Sequence, residues 1–187
     1  LPLGLLRESV SATGRADAVI VTKTPQGTSQ EQMEEVRKEL QSAGAGESVF
    51  FTSFDYGRPA HLFSEQAREM TRGTSVLLVT GIANPAPMKE YLDGYCGNVT
   101  HISFPDHHAY TPADIEKIAA AFDALSGADK IIVTTAKDGV RLKEITNIAD
   151  RIRQALHYLP VGVQFIDNED VFLNKVYSYA GKDYQNR

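Results

Sequence analysis

The 187 residues fall within the roughly 100–200 typical of one domain or two small ones, enough to bury a core without disulfides. With 42% apolar and 23% charged residues, the chain is an ordinary globular one, which excludes disorder, collagen and coiled coil. Lys and Arg number 19 against 24 Asp and Glu, so the formal charge is −5 and no basic field exists to hold a nucleic-acid backbone. The single cysteine, Cys96, permits neither an internal disulfide nor a thiolate metal site and points to a reducing, cytoplasmic setting.

The chain opens on Leu1, and its methionines are Met33, Met70 and Met88, which marks it as processed or as a piece. Leu1–Leu6 is shorter than the apolar core of ~7–15 residues that a secretory leader needs. The longest apolar stretch, Ser75 to Pro87, carries glycine and proline breaks and falls short of the roughly 18 residues of a membrane span.

Ala18 to Val21 predicts a short buried strand that ends before Pro25. Ser29 and Gln32 form a capping box for a helix whose inner face carries Met33, Val36 and Leu40, closed by Gly44 and Gly46. Strands are predicted over Ser48–Tyr56, Ser75–Thr80, Asn98–Phe104 and Lys130–Thr135, with a turn-like linker or hairpin near 54–63. Thr111, Pro112 and Asp114 start a helix that buries Ile115, Ile118, Ala119 and Phe122. A further helix over Thr146–His157 gives way to a last strand through Val161–Ile166, and Ala180–Arg187 reads as a frayed tail. Strands alternating with helices predict an α/β fold, a mainly parallel sheet covered on both faces in a Rossmann-like three-layer sandwich.

In such a sheet, ligands meet the loops after the carboxyl ends of the strands. Three of these loops are rich in polar residues: Thr80-Gly81-Ile82-Ala83-Asn84-Pro85, Pro105-Asp106-His107-His108-Ala109-Tyr110 and Thr134-Thr135-Ala136-Lys137-Asp138. The Asp-His-His run fits a metal site, an acid–base pair or a plain helix entry, although the further ligands of a zinc site are not spaced nearby. Asn84 suits a helix cap ahead of Pro85 and Pro87; Lys137-Asp138 and Arg7-Glu8 are, by themselves, surface pairs; Cys96 reads as a buried structural thiol. Neither G-x-x-x-x-G-K-[ST] nor G-x-S-x-G occurs, and Gly44-Ala45-Gly46 lacks the remainder of a dinucleotide fingerprint.

Four segments occur in an order and spacing that resemble the tetraacyldisaccharide 4′-kinase family of lipid A biosynthesis. They are Leu3 to Glu8 followed by Arg15 to Val19, Gly81 to Pro85, Phe104 to Tyr110, and Thr134 to Leu142. The Phe50 to Arg58 stretch resembles the Bacteroidetes-type members. Ala136 stands where the family usually has glutamate, and Leu3 where it usually has alanine. The resemblance implies that the P-loop-kinase half is missing. On that reading, 1–25 is a remnant of a preceding nucleotide-binding domain, 26–180 the carboxyl-terminal α/β domain and 181–187 a tail.

It further implies transfer of the ATP γ-phosphate, with Mg2+, to the 4′-hydroxyl of a tetraacylated glucosamine disaccharide 1-phosphate, at the cytoplasmic face of the inner membrane. His107 matches the histidine that pairs with a catalytic aspartate of the missing half, and Asp106 would orient it. Arg7 and Glu8 match a pair near the nucleotide, while Asn84, His108, Lys137 and Asp138 are expected to line the substrate or nucleotide site. No metal ligand and no bound cofactor are expected of these residues alone, and the fragment by itself is expected to be inactive. The rival reading is a free-standing α/β module for a small anionic or sugar ligand.

Overall fold

Apolar runs and capped helices alternate along the chain as predicted, in a computed structural model that describes residues 10–185. In order the elements are β1 (Val19–Val21), α1 (Gln30–Ser42), β2 (Val49–Tyr56), β3 (Ala60–His61), β4 (Ser75–Thr80), α2 (Ala86–Tyr95) and β5 (Asn98–Ser103). There follow α3 (Pro112–Ala124), β6 (Lys130–Thr135), α4 (Ala136–Lys143), α5 (Asp150–Ala155), β7 (Leu156–Leu159), β8 (Val161–Phe165) and α6 (Glu169–Gln185). They form two compact units, Tyr56–Val161 and the pair of segments Leu1–Asp55 and Gly162–Arg187.

In the unit Tyr56–Val161, five strands are ordered β3-β7-β6-β4-β5, parallel throughout except for the two-residue edge strand β3. Side chains alternate across the sheet with period two, so neighbours on β4 enter different cores. Leu77 and Val79 pack with Ile115 and Ile118 of α3, Leu142 of α4 and Ile152 of α5. Val76 and Leu78 pack with Met88 and Leu92 of α2 and with Cys96. This is the predicted three-layer arrangement: β4 and β6 are continuous apolar runs because both of their faces are covered. Cys96 is buried as expected, its thiol donating toward Met70 Sδ at 3.5 Å, and burial pushes its ionisation above the ordinary thiol range.

In the other unit, β2 lies between β1 and β8. Val49 and Phe51 face Met33 and Leu40 of α1, whose capping box between Ser29 and Gln32 forms as the sequence predicts. Phe50 contacts Phe165 and Phe172 edge to face.

β1 pairs in parallel with β2, Val19 opposite Val49, and the chain passes between the two compact units at 55/56 and 161/162. Two readings of the sequence differ from the structure. The helix predicted to His157 stops at Ala155, and Leu156–Leu159 forms β7, paired with β6. The segment read as a frayed tail from Ala180 is helical to Gln185 in α6.

Candidate active site

The parallel strands β5, β4 and β6 lie side by side, so their carboxyl ends open on one edge of the sheet. From β4 the chain moves first to β5 on one side and then to β6 on the other, which makes this edge a topological switch point. Among the residues expected to line a site, it gathers His107, Lys137 and Asp138.

Asp138 is the anchor. Its side chain is fully buried; Oδ2 accepts from the Gly81 backbone N–H at 2.9 Å and from the Thr135 hydroxyl at 2.8 Å. Oδ1 accepts from an Arg141 Nη at 3.2 Å, and the Asp138 N–H caps onto Thr135 Oγ1 to start α4. One carboxylate thus ties the loop after β4 to the helix after β6. The approach is close enough to require glycine, since a Cβ on Gly81 would lie 3.0 Å from Asp138 Oδ1. Asp138 was expected to line the site; buried behind it, it braces the crevice.

His107 stands at the mouth of the crevice. The Pro105–His108 turn is closed by the His108 N–H on the Pro105 carbonyl, and the His107 N–H donates to the Gly81 carbonyl, both at 3.2 Å. His107 has φ +62°, a left-handed conformation whose cost falls on any residue with a Cβ and which here turns the imidazole toward α4. Lys137 Nζ lies 3.2 Å from Nε2 and an Arg141 Nη 3.2 Å from Nδ1. The Asp106 carboxylate is 3.7 Å from Nε2, within ion-pair range and beyond a direct hydrogen bond.

The remaining candidates sit elsewhere. His108 turns inward, stacks on Phe104 with ring centroids 4.6 Å apart, and donates to Asp114 Oδ2 at 3.0 Å, so it braces the start of α3. That hydrogen bond, followed by those from Thr111, holds the Asp114 carboxyl below its usual range. Asn84, expected to line the site, has its Oδ1 accept from the Ala86 N–H at 3.2 Å just ahead of α2, whose N-cap is Pro85. Arg7 and Glu8 lie outside the described residues.

Arg141 and Tyr110 belong to this cluster and were not singled out in the sequence. Arg141 follows Lys137 by four residues, which places both on one face of α4; that spacing was the available signal. The Tyr110 hydroxyl is buried beside Gly81 and has no hydrogen-bond partner among the described residues. Burial first, and the Asp138 charge second, push its ionisation well above the ordinary tyrosine range.

The donor set does not suit a metal. Among the described residues no three His, Cys, Asp or Glu side chains come together as ligands, and the open groups beside His107 include the cations of Lys137 and Arg141. The crevice suits an anion better.

Comparison with known proteins identifies the family and the fold. The family described as tetraacyldisaccharide-1-P 4′-kinase (LpxK) matches residues 1–179. The tetraacyldisaccharide 4′-kinase of Bacteroides thetaiotaomicron is 34% identical over all of this chain and 52% of its own length. That of Parabacteroides distasonis is 36% identical over 92% of this chain and 48% of its own, and that of Flavobacterium johnsoniae 36% over 99% and 51%. The chain therefore spans about half the length of these curated relatives. The crystal structure of LpxK from Aquifex aeolicus in complex with ATP superposes with a TM-score of 0.57 over 95% of this chain and 47% of that one, at 21% identity, a likeness of fold. An α/β sheet with its crevice at the switch point, a family match over nearly the full sequence and relatives at 34–36% identity give one conclusion: the chain belongs to the tetraacyldisaccharide 4′-kinase family.

Proposed function

We propose that this chain is the carboxyl-terminal part of a lipid A 4′-kinase and supplies His107 to a site completed by a nucleotide-binding half. That half would hold ATP with Mg2+. The acceptor would be the 4′-hydroxyl of tetraacyldisaccharide 1-phosphate, met at the cytoplasmic face of the inner membrane by a peripheral enzyme. Among the described residues no helix is long and apolar enough to cross a membrane. In the reaction the 4′-oxygen bonds to the γ-phosphorus, the bond to the departing ADP oxygen breaks, and the hydroxyl proton passes to a carboxylate base of the other half. Such transfer depends on positioning and charge compensation more than on covalent chemistry.

The observation that carries this reading is the placement of His107. A strained turn holds its imidazole at the edge of the sheet, accessible, with Lys137 beside it where positive charge favours a phosphoryl group. In its role His107 pairs with the base carboxylate and Asp106 assists its orientation. Supporting the division into halves, these 187 residues contain no phosphate-cradling G-x-x-x-x-G-K-[ST].

The test is His107→Ala in the full-length kinase. Turnover is expected to fall about 10- to 1000-fold with an unchanged melting profile, as for loss of an acid–base partner. Unchanged turnover would remove His107 from the mechanism.

A further inference from the structure

Arg141 touches both the buried anchor of the crevice and the imidazole at its mouth. Its two Nη atoms divide the work, one donating to Asp138 Oδ1 and the other facing His107 Nδ1, each at 3.2 Å. Asp138 is fully buried and already bonded to Gly81 and Thr135, so this end of the fork is fixed. A guanidinium is planar, permanently charged and carries only donors. A neutral imidazole bonded to it must accept at Nδ1 and hold its proton on Nε2.

Two further groups face the ring on the Nε2 side, Lys137 Nζ at 3.2 Å and the Asp106 carboxylate at 3.7 Å. Lys137 is, like Arg141, only a donor, so the two cations compete for the single lone pair of a neutral ring; the guanidinium, held in place by Asp138, is the better placed to keep it, the ammonium riding on a flexible four-carbon stem. The main chain contributes the Gly81 carbonyl, which is taken by the His107 N–H.

We propose that Arg141 is a positioning residue, braced by Asp138, that fixes His107 as the Nε2–H tautomer and so makes it a hydrogen-bond donor toward a carboxylate. The proposal rests on the function assigned to His107 above and refines it. In this tautomer Nε2 has no lone pair for the sugar hydroxyl's proton, so His107 orients and stabilises the base carboxylate while the carboxylate takes the proton. The two carboxylates thereby have separate tasks: Asp138 works from beneath through Arg141, and the base works from above through Nε2.

The experiment is a double-mutant cycle in the full-length kinase with Arg141→Met, His107→Ala and the pair, together with Arg141→Lys. Arg141→Met is expected to lower kcat about 10- to 100-fold while KM for ATP and for the lipid acceptor moves less than about threefold. The double variant is expected to be no slower than His107→Ala alone, because Arg141 acts through that ring. Lysine has a single ammonium and cannot span Asp138 and His107 together, so Arg141→Lys is expected to recover less than half of the lost turnover. Selective 15N labelling of histidine supplies a spectroscopic signature: Nδ1 of His107 reads as the unprotonated nitrogen in the parent enzyme and loses that preference in Arg141→Met. Losses that multiply in the double variant, a KM effect with kcat unchanged, or an unaltered tautomer would each overturn the assignment to Arg141. Only an inert His107→Ala would overturn the function on which it rests.

Discussion

At the scale of single residues, the crevice is built on an exchange of local stability for placement. A histidine at φ +62° would ordinarily be glycine or asparagine, and its cost is of order 1 kcal/mol. What the turn gains is an imidazole held against α4 rather than free in solvent. Tyr110 is a second local cost, a buried phenol whose hydroxyl lacks a partner among the described residues. Its ring still has work to do, packing edge to face on Phe104 at 5.2 Å and on His108 at 5.2 Å. Removing only the oxygen relieves the desolvated donor and leaves that packing in place. Tyr110→Phe is therefore expected to leave stability unchanged or raise it by up to about 1 kcal/mol, read as a higher urea midpoint. A loss of more than about 1 kcal/mol would mean that the hydroxyl is satisfied in solution.

At the scale of elements, helix entries set the geometry of the site, and the loop between β5 and α3 shows how. Thr111 and Asp114 form a capping box at the start of α3, and Asp114 Oδ2 receives the Thr111 N–H, the Thr111 hydroxyl and His108 Nε2. These bonds pin the residue next to His107. Because the folded carboxyl titrates below its ordinary range, Asp114 contributes stability that is present above about pH 4 and lost as the pH falls through its folded value. Asp114→Asn is expected to cost about 0.5–1 kcal/mol at pH 6. The gap in urea midpoint between the variant and the parent should narrow below about pH 4; a gap that stays constant down to pH 3 would exclude the linkage.

The same scale shows what was legible beforehand. Buried strands such as β4 and β6 were readable as unbroken apolar runs, the entry of α1 as a capping box and that of α3 as a threonine cap followed by proline, because those signals are local. The end of α5 was not, since Ile152 and Leu156 suit a helical stripe equally well and only pairing with β6 makes Leu156–Leu159 a strand. Among site residues, His107 was conspicuous through its neighbours in sequence. The inward turn of His108 depended on Phe104 and Asp114, and the roles of Asp138 and Arg141 depended on Gly81 and His107 from loops that sequence separates by 57 and 34 residues.

At the scale of the whole molecule, the arrangement of charge bears on the proposal that the nucleotide is held outside these 187 residues. ATP bound with magnesium needs a row of backbone N–H groups around its phosphates and carboxylates or a hydroxyl on the ion. The 187 residues offer no glycine-rich phosphate loop, and the described ones offer no cluster of metal ligands. Lys137, Arg141 and His107 remain at the crevice; Arg141 is already paired with Asp138, and an exposed ammonium in water attracts an anion only weakly. The net charge of −5 opposes approach of a nucleotide further. Titration calorimetry of the isolated 187-residue chain is therefore expected to show no saturable binding of Mg-ATP up to about 1 mM, an affinity no better than about −4 kcal/mol. The full-length kinase, titrated under the same conditions, supplies the positive control. Saturable micromolar binding to the isolated chain would place a nucleotide site within these residues, and His107 would then act beside a phosphate it helps to hold rather than beside a carboxylate brought by another half.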